Sequence, residues 1–174
     1  MAHGMQSLTD IQREVEKRAA IIGATGRILP TYGKTDDWAR PHIEVDSRGF
    51  HYVVVERGQE VERFTTDNLD ELLYRVFKNV AWALASVYEL NHRIDGQDCR
   101  RQLLGKQIEL LGQLSPAWAE LQSEEHALIL QEHPFDDFSL TRALYTKALR
   151  DKGQSADAAW RAACEKYPLP TNPA

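Results

Sequence analysis

The change of hydrophobic period at Asp67 is the feature that most constrains the fold of this chain. Three short segments before it carry the apolar alternation and β-branched residues that are typical of strands, at 41–46, 50–56 and 61–66. The turns between these segments are too short for a crossover, so neighbouring strands must be antiparallel. After Asp67, which is predicted to cap a helix, apolar residues recur at helical spacing from Leu69 to Val87.

Helical patterns also lie on both sides of this region. An apolar stripe predicts an N-terminal helix that Ser7 or Thr9 can cap and Gly23 ends, formed by Ile11, Val15, Ala19 and Ile22. Residues 23–41, with several glycines and prolines, are predicted to form an irregular arm. Further amphipathic segments predict helices at 103–111, 116–133, 139–151 and 155–166. The expected fold is α+β: an N-terminal helix, a three-stranded antiparallel β-meander, and several helices packed on one face of the sheet.

Length and composition exclude several classes of protein. The 174 residues suit a single domain, 1–174, and the 43% hydrophobic and 27% charged residues are ordinary for a soluble chain. No apolar run approaches the roughly 20 residues that a membrane span needs. A net charge of −5 disfavours nucleic-acid binding. Cys99 and Cys164 lack the spacing of a zinc site and indicate free thiols in a reducing cytoplasm.

The charge layout is the most informative functional feature. Between residues 115 and 138 there is no lysine or arginine. The acidic residues of this segment are Glu120, Glu124, Glu125, Glu132, Asp136 and Asp137. Such a segment predicts an electrostatic docking face for a basic protein, since opposite charge speeds association. The alternative is an ordinary solvated helix face.

Large apolar side chains divide into expected core residues and one expected contact residue. Trp82 lies within the long helical stripe and is predicted to be buried. The helix that begins at Pro116 is predicted to face the core with Trp118, Leu121, Leu128 and Ile129. Trp38 lies in the arm before the first long strand and is predicted to be an exposed aromatic contact.

One cluster of side chains could carry chemistry. His42, Glu44 and Asp46 share a face of the first predicted strand, and the following turn would bring His51 opposite Glu44. Imidazole and carboxylate groups can hold a divalent metal, which would make the chain a metal-dependent hydrolase. The alternative is a polar strand face. No established catalytic, metal or cofactor motif is present, so we expect neither an enzyme nor a cofactor.

An ordered series of short motifs resembles a family of predicted immunity proteins from bacterial polymorphic toxin systems, of the immunity protein 63 type. The motifs are LPTYG at 29–33, ARPHIEVD at 39–46, YVVVERG at 52–58, DELLY at 70–74, YEL at 88–90, QDCRR at 97–101 and HPFDD at 133–137. The resemblance covers residues 8–138 and leaves 139–174 as a C-terminal helical extension.

The resemblance implies a cytoplasmic antidote that binds a cognate toxin domain and neutralises it inside the producing cell. Such a protein needs no chemistry of its own, which agrees with the lack of a catalytic motif. The expected partner is a basic toxin protein, with no nucleic acid and no membrane. The sequence leaves two other functions open, the metal-dependent hydrolase and a structural homo-oligomeric protein.

Overall fold

The computed structural model describes residues 7–171 and has the expected α+β class. Its helices are α1 (Leu8–Ile21), α2 (Leu69–Asn91), α3 (Arg100–Leu114), α4 (Pro116–Glu132), α5 (Ser139–Asp151) and α6 (Ala156–Lys166). Its strands are β1 (Thr31–Tyr32), β2 (His42–Asp46), β3 (Gly49–Glu56) and β4 (Gln59–Thr66). Within residues 7–171 no helix combines the length and the hydropathy needed to span a membrane.

The sheet is four-stranded and mixed, in the order β1-β2-β3-β4. The antiparallel pairing of β2, β3 and β4 confirms the predicted meander. The expectation of a three-stranded, purely antiparallel sheet is wrong, because β1 adds a parallel edge strand within the predicted arm. The backbone N–H of Thr31 donates to Pro41 O at 2.9 Å, and that of Gly33 donates to Ile43 O at 2.8 Å. A strand of two residues shows no alternation that a sequence pattern could reveal.

Two helix starts illustrate how local chemistry sets the elements. Ser7 caps α1 in a reciprocal capping box with Asp10, as the sequence predicts for Ser7. The cap of α2 is Asn68, whose side-chain oxygen accepts from the backbone N–H of Asp70 at 2.9 Å. The prediction of Asp67 as this cap is wrong by one residue, because adjacent Asp and Asn are both good cap residues.

The core lies between the sheet and two layers of helices. α1 and α2 pack against the sheet face that carries Ile43, Phe50 and Tyr52. α3 and α4 lie beyond them, and the ring of Trp118 stacks on that of Phe77 with centroids 6.0 Å apart. The apolar stripe of α1 is buried as predicted.

The pair α5 and α6 packs mainly on itself. The main hydrophobic core takes no buried residue from either helix. The buried Arg142 holds the pair instead: its guanidinium donates to the Asp136 carboxylate at 2.7 and 2.9 Å and to the carbonyls of Tyr167 and Pro168.

Several large apolar side chains expected in the core lie at the surface. They are Trp82 and Val87 of α2 and Leu121, Leu128 and Ile129 of α4. In α4 the inward positions are taken by Trp118, Gln122 and His126, which follow one another at four-residue spacing. Since these three fix the orientation of the helix, Leu121 and Leu128 turn outward. Ile129 lies seven residues after Gln122, on the side that faces the other helices, and is exposed in the last turn of α4. The prediction of their burial is therefore wrong, while that of Trp118 is confirmed.

Candidate partner-binding face

Hydrogen bonds add to the packing of Trp118 in holding the inner side of α4. The indole Nε1 of Trp118 donates to the Asp70 carboxylate at 3.0 Å, and the Tyr74 hydroxyl donates to Gln122 at 3.4 Å. His126 lies within hydrogen-bond distance of Gln107, with 2.9 Å between its Nε2 and Oε1 of the glutamine. These bonds join α4 to both α2 and α3 and set which face of α4 is exposed.

The protonation state of His126 follows from these contacts. The side-chain nitrogen of Gln107 donates to the backbone carbonyl of Lys78 at 3.0 Å, so its oxygen is the acceptor for His126 Nε2–H. The Nδ1 atom of His126 is buried without a partner. Burial lowers the pKa of His126 and so favours the neutral form of its side chain.

The six acidic residues of segment 115–138 fall into two groups. Glu120, Glu124 and Glu132 are exposed and make no ion pair with any residue in the range 7–171. Glu125 pairs with Lys78, Asp136 with Arg142 and Asp137 with Arg101. The first group, called the free glutamates below, is available to a partner, whereas the second joins elements of this chain to one another.

The loop after α4 is tied to the loop before α3. Arg100 donates to the carbonyls of His133 and Pro134, both at 2.8 Å, and to the Asp98 carboxylate at 2.7 Å. Asp98 also accepts from the backbone N–H of Asp136 at 2.8 Å. Burial raises the pKa of Asp98, but the bonds from Arg100 and the backbone outweigh it and lower the pKa to about 2.

The outer side of α4 is apolar as well as acidic. Leu121 and Leu128 are exposed there, seven residues apart on one helix face, and Ile129 is exposed in the last turn of the helix. Trp82 is exposed on the neighbouring α2. Exposed apolar side chains that group together are a feature of protein-contact surfaces, whereas single ones are ordinary on any protein.

Trp38 is exposed, as predicted, with 78% of its surface accessible. It forms an isolated bridge with Glu56 at the end of β3, and the backbone N–H of the next residue, Ala39, donates to Val55 O at 3.1 Å. Because Trp38 is attached to the sheet and α4 packs on α2 and α3, the structure does not bring the predicted contact residues together on one surface.

The histidine and carboxylate cluster has the predicted register but forms separate pairs. Glu44 stands opposite His51 across β2 and β3. The side chain of His42 lies 3.0 Å from Glu44, and that of His51 lies 2.8 Å from Asp46. The second nitrogen of His51 is 2.9 Å from the hydroxyl of Thr65.

Arginines neutralise the carboxylates of this cluster. Arg63 bridges Glu44 at 2.9 Å and Glu60 at 2.7 Å, and Arg48 bonds to Asp46 at 2.8 Å. No group of three or more His, Cys, Asp or Glu side chains in the described part of the chain is arranged to hold a metal ion. The cluster therefore forms a polar sheet face and gives the hydrolase alternative no support.

Comparison with known proteins points to one family. Residues 46–128 match the model of the family described as Immunity protein 63, from the end of β2 to the last turns of α4. This match confirms the resemblance that the short motifs indicate. No curated protein and no solved structure matches the chain.

Proposed function

We propose that this chain is an immunity protein that binds a cognate bacterial toxin domain and neutralises it in the cytoplasm of the producing cell. The observation that carries the proposal is the family match over residues 46–128. We call the exposed side of α4, together with Trp82 of α2, the partner-binding face. The matched segment contains most of this face, including Trp82, Leu121, Leu128 and two of the free glutamates.

The charges of the face favour a basic toxin. Glu120, Glu124 and Glu132 make no ion pair within residues 7–171, and segment 115–138 contains no lysine or arginine. A positive surface on the partner would complement the free glutamates and would be drawn toward them over about a Debye length.

Inhibition of this type requires complementarity and no bond-making chemistry. The toxin surface that docks on α4 is either its active site or a region whose occupation holds the toxin inactive. The buried side of α4 supports a stable docking surface, because its hydrogen bonds to Asp70, Tyr74 and Gln107 do not depend on the partner.

Coexpression with the toxin domain encoded beside this gene is the direct test. We expect the chain to restore growth and to copurify with the toxin, with association that slows as salt rises from about 0.05 to about 0.5 M. Continued toxicity together with the absence of a complex would contradict the proposed function.

A charge-reversal variant tests the free glutamates within the same assay. Glu120→Lys, Glu124→Lys and Glu132→Lys together should lower the association rate constant at least about tenfold at low salt. The matched control reverses the same number of exposed acidic residues elsewhere, at Asp67, Asp157 and Glu165. Equal slowing by both variants would show that net charge acts, without a specific role for α4.

A further inference from the structure

We propose that the complex is anchored by an apolar strip on the partner-binding face and that the free glutamates act only as its rim. The strip consists of Trp82, Leu121, Leu128 and Ile129. It takes a partner surface in which apolar side chains are surrounded by lysines and arginines. This inference rests on the proposed function, since the partner is the toxin.

Contacts between α2 and α4 place the strip on one surface. Tyr74 contacts Gln122 and, one turn further along both helices, Lys78 contacts Glu125. The two helices therefore run in the same direction here, and the next turn of each carries Trp82 and Ile129. Leu121 and Leu128 lie four residues before and three residues after Glu125, so they flank the same contact line.

The strip consists of bulky side chains that the fold leaves accessible. The exposed fractions are 44% for Trp82, 48% for Leu121, 63% for Leu128 and 47% for Ile129. On the same helix Gln122 and His126 are only 2% and 4% exposed. Apart from Trp118, α4 buries an amide and an imidazole group while it exposes leucines, so it gains less apolar burial than a helix whose apolar side chains all face the core. A partner that covers the strip would supply that burial.

Charge identifies the occupant as a basic polypeptide. The free glutamates border the strip, and Lys78, a cation beside it, already pairs with Glu125. A second copy of this chain would bring glutamates against glutamates, and an anionic lipid surface would be repelled in the same way. A partner surface with apolar side chains at its centre and lysines or arginines around them complements both the strip and the free glutamates.

The two parts of the face are expected to act on different rate constants. Rim charges mainly change the rate of association and its salt dependence, whereas buried aromatic and aliphatic anchors mainly change the rate of dissociation. This division separates the anchor role of the strip from the steering role of the free glutamates.

Binding kinetics with a catalytically inactive form of the neighbouring toxin domain provide the test. Leu128→Ser with Ile129→Ser, and separately Trp82→Ser, should raise the dissociation rate constant at least about tenfold. The association rate constant and its salt slope should change less than about twofold. The matched control is Leu144→Ser, because Leu144 of α5 is 59% exposed and lies outside the strip.

Each outcome has a distinct meaning. Unchanged thermal unfolding of the variants would confirm that a faster dissociation reflects lost contacts. Unchanged dissociation from a complex that does form would overturn the strip while leaving the proposed function intact. Absence of a complex with the unaltered chain would overturn both. Self-association of this chain that Leu128→Ser abolishes would overturn the assignment to a basic partner.

Discussion

Helices α1 and α4 pack within the same structure but differ in which side chains they bury and which they expose. α1 buries Ile11, Val15 and Ala19 and exposes polar residues. α4 buries Trp118 with two polar side chains and exposes leucines. Folding alone accounts for α1, because its apolar stripe meets the core. The exposed leucines of α4 are not accounted for in this way, and this difference supports the partner contact proposed above.

Truncating one apolar residue in each helix should give the largest contrast. Ile11 is fully buried, so Ile11→Ala should lower the free energy of unfolding by about 2–5 kcal/mol. Leu128→Ala should change it by less than about 0.5 kcal/mol, because the side chain is largely accessible already. Urea denaturation measures both variants. Similar losses in the two would remove the distinction between the helices.

The polar attachment of α4 should be the next most sensitive feature. Gln107→Ala removes partners from both the Lys78 carbonyl and His126, and the unpaired buried groups should lower the free energy of unfolding by about 1–3 kcal/mol. Gln113→Ala, at an exposed position of the same α3, is the matched control for urea denaturation. Full stability of the Gln107 variant would mean that these hydrogen bonds do not hold α4.

A pH-dependent effect should distinguish α4 further. Burial lowers the pKa of His126 below its ordinary value of 6.5. The negative charge of Glu125 acts in the opposite direction, and the positive charge of Lys78 lowers this pKa further. Below 6.5 the unfolded chain takes up the proton before the folded chain does, so stability is present above 6.5 and is lost as the pH falls. α1 contains no histidine and carries no such dependence.

Thermal unfolding between about pH 7.5 and about pH 5.5 measures this effect. His126→Asn should reduce the fall in stability over this interval, and His133→Asn, at an exposed position just beyond α4, is the matched control. An equal pH dependence in all three proteins would contradict the assignment to His126.

The smallest effect on the free energy of unfolding is expected at the free glutamates. Glu120 and Glu124 are four residues apart on α4, and like charges at this spacing destabilise a helix by a few tenths of a kcal/mol. Glu124→Lys should therefore raise the free energy of unfolding slightly while it slows toxin association. Substantial destabilisation would indicate that Glu124 serves the fold, as Glu125 does through Lys78.

The predictable parts of the fold are those with local causes. The stripe of α1, the meander and the long apolar run of α2 each repeat over enough residues for their period to be visible. β1 is too short to show a period, and its two residues pair with β2 only because the intervening arm returns. Periodicity also fails for α4, since Gln122 and His126 are buried through partners on other helices.

The sequence predicts the negative charge of the candidate site but not which of its acidic residues form ion pairs. The absence of lysine and arginine from 115–138 correctly indicates an acidic helix. The sequence does not indicate that Lys78, Arg101 and Arg142 reach Glu125, Asp137 and Asp136 from outside the segment. Long-range ion pairs of this kind depend on the tertiary fold and leave no local signal. The sequence does not reveal the exposed apolar strip, because leucines at helical spacing are also typical of a buried helix face.

The hydrogen bonds from Arg100 to the carbonyls of His133 and Pro134, just after α4, affect the rate and the thermodynamics of docking. Arg100 holds the chain just after α4 and Asp70 holds Trp118 near its start, so a partner has little chain entropy to remove on docking. Association should then be a single kinetic phase between preformed shapes, with backbone shifts in α4 of less than about 1 Å.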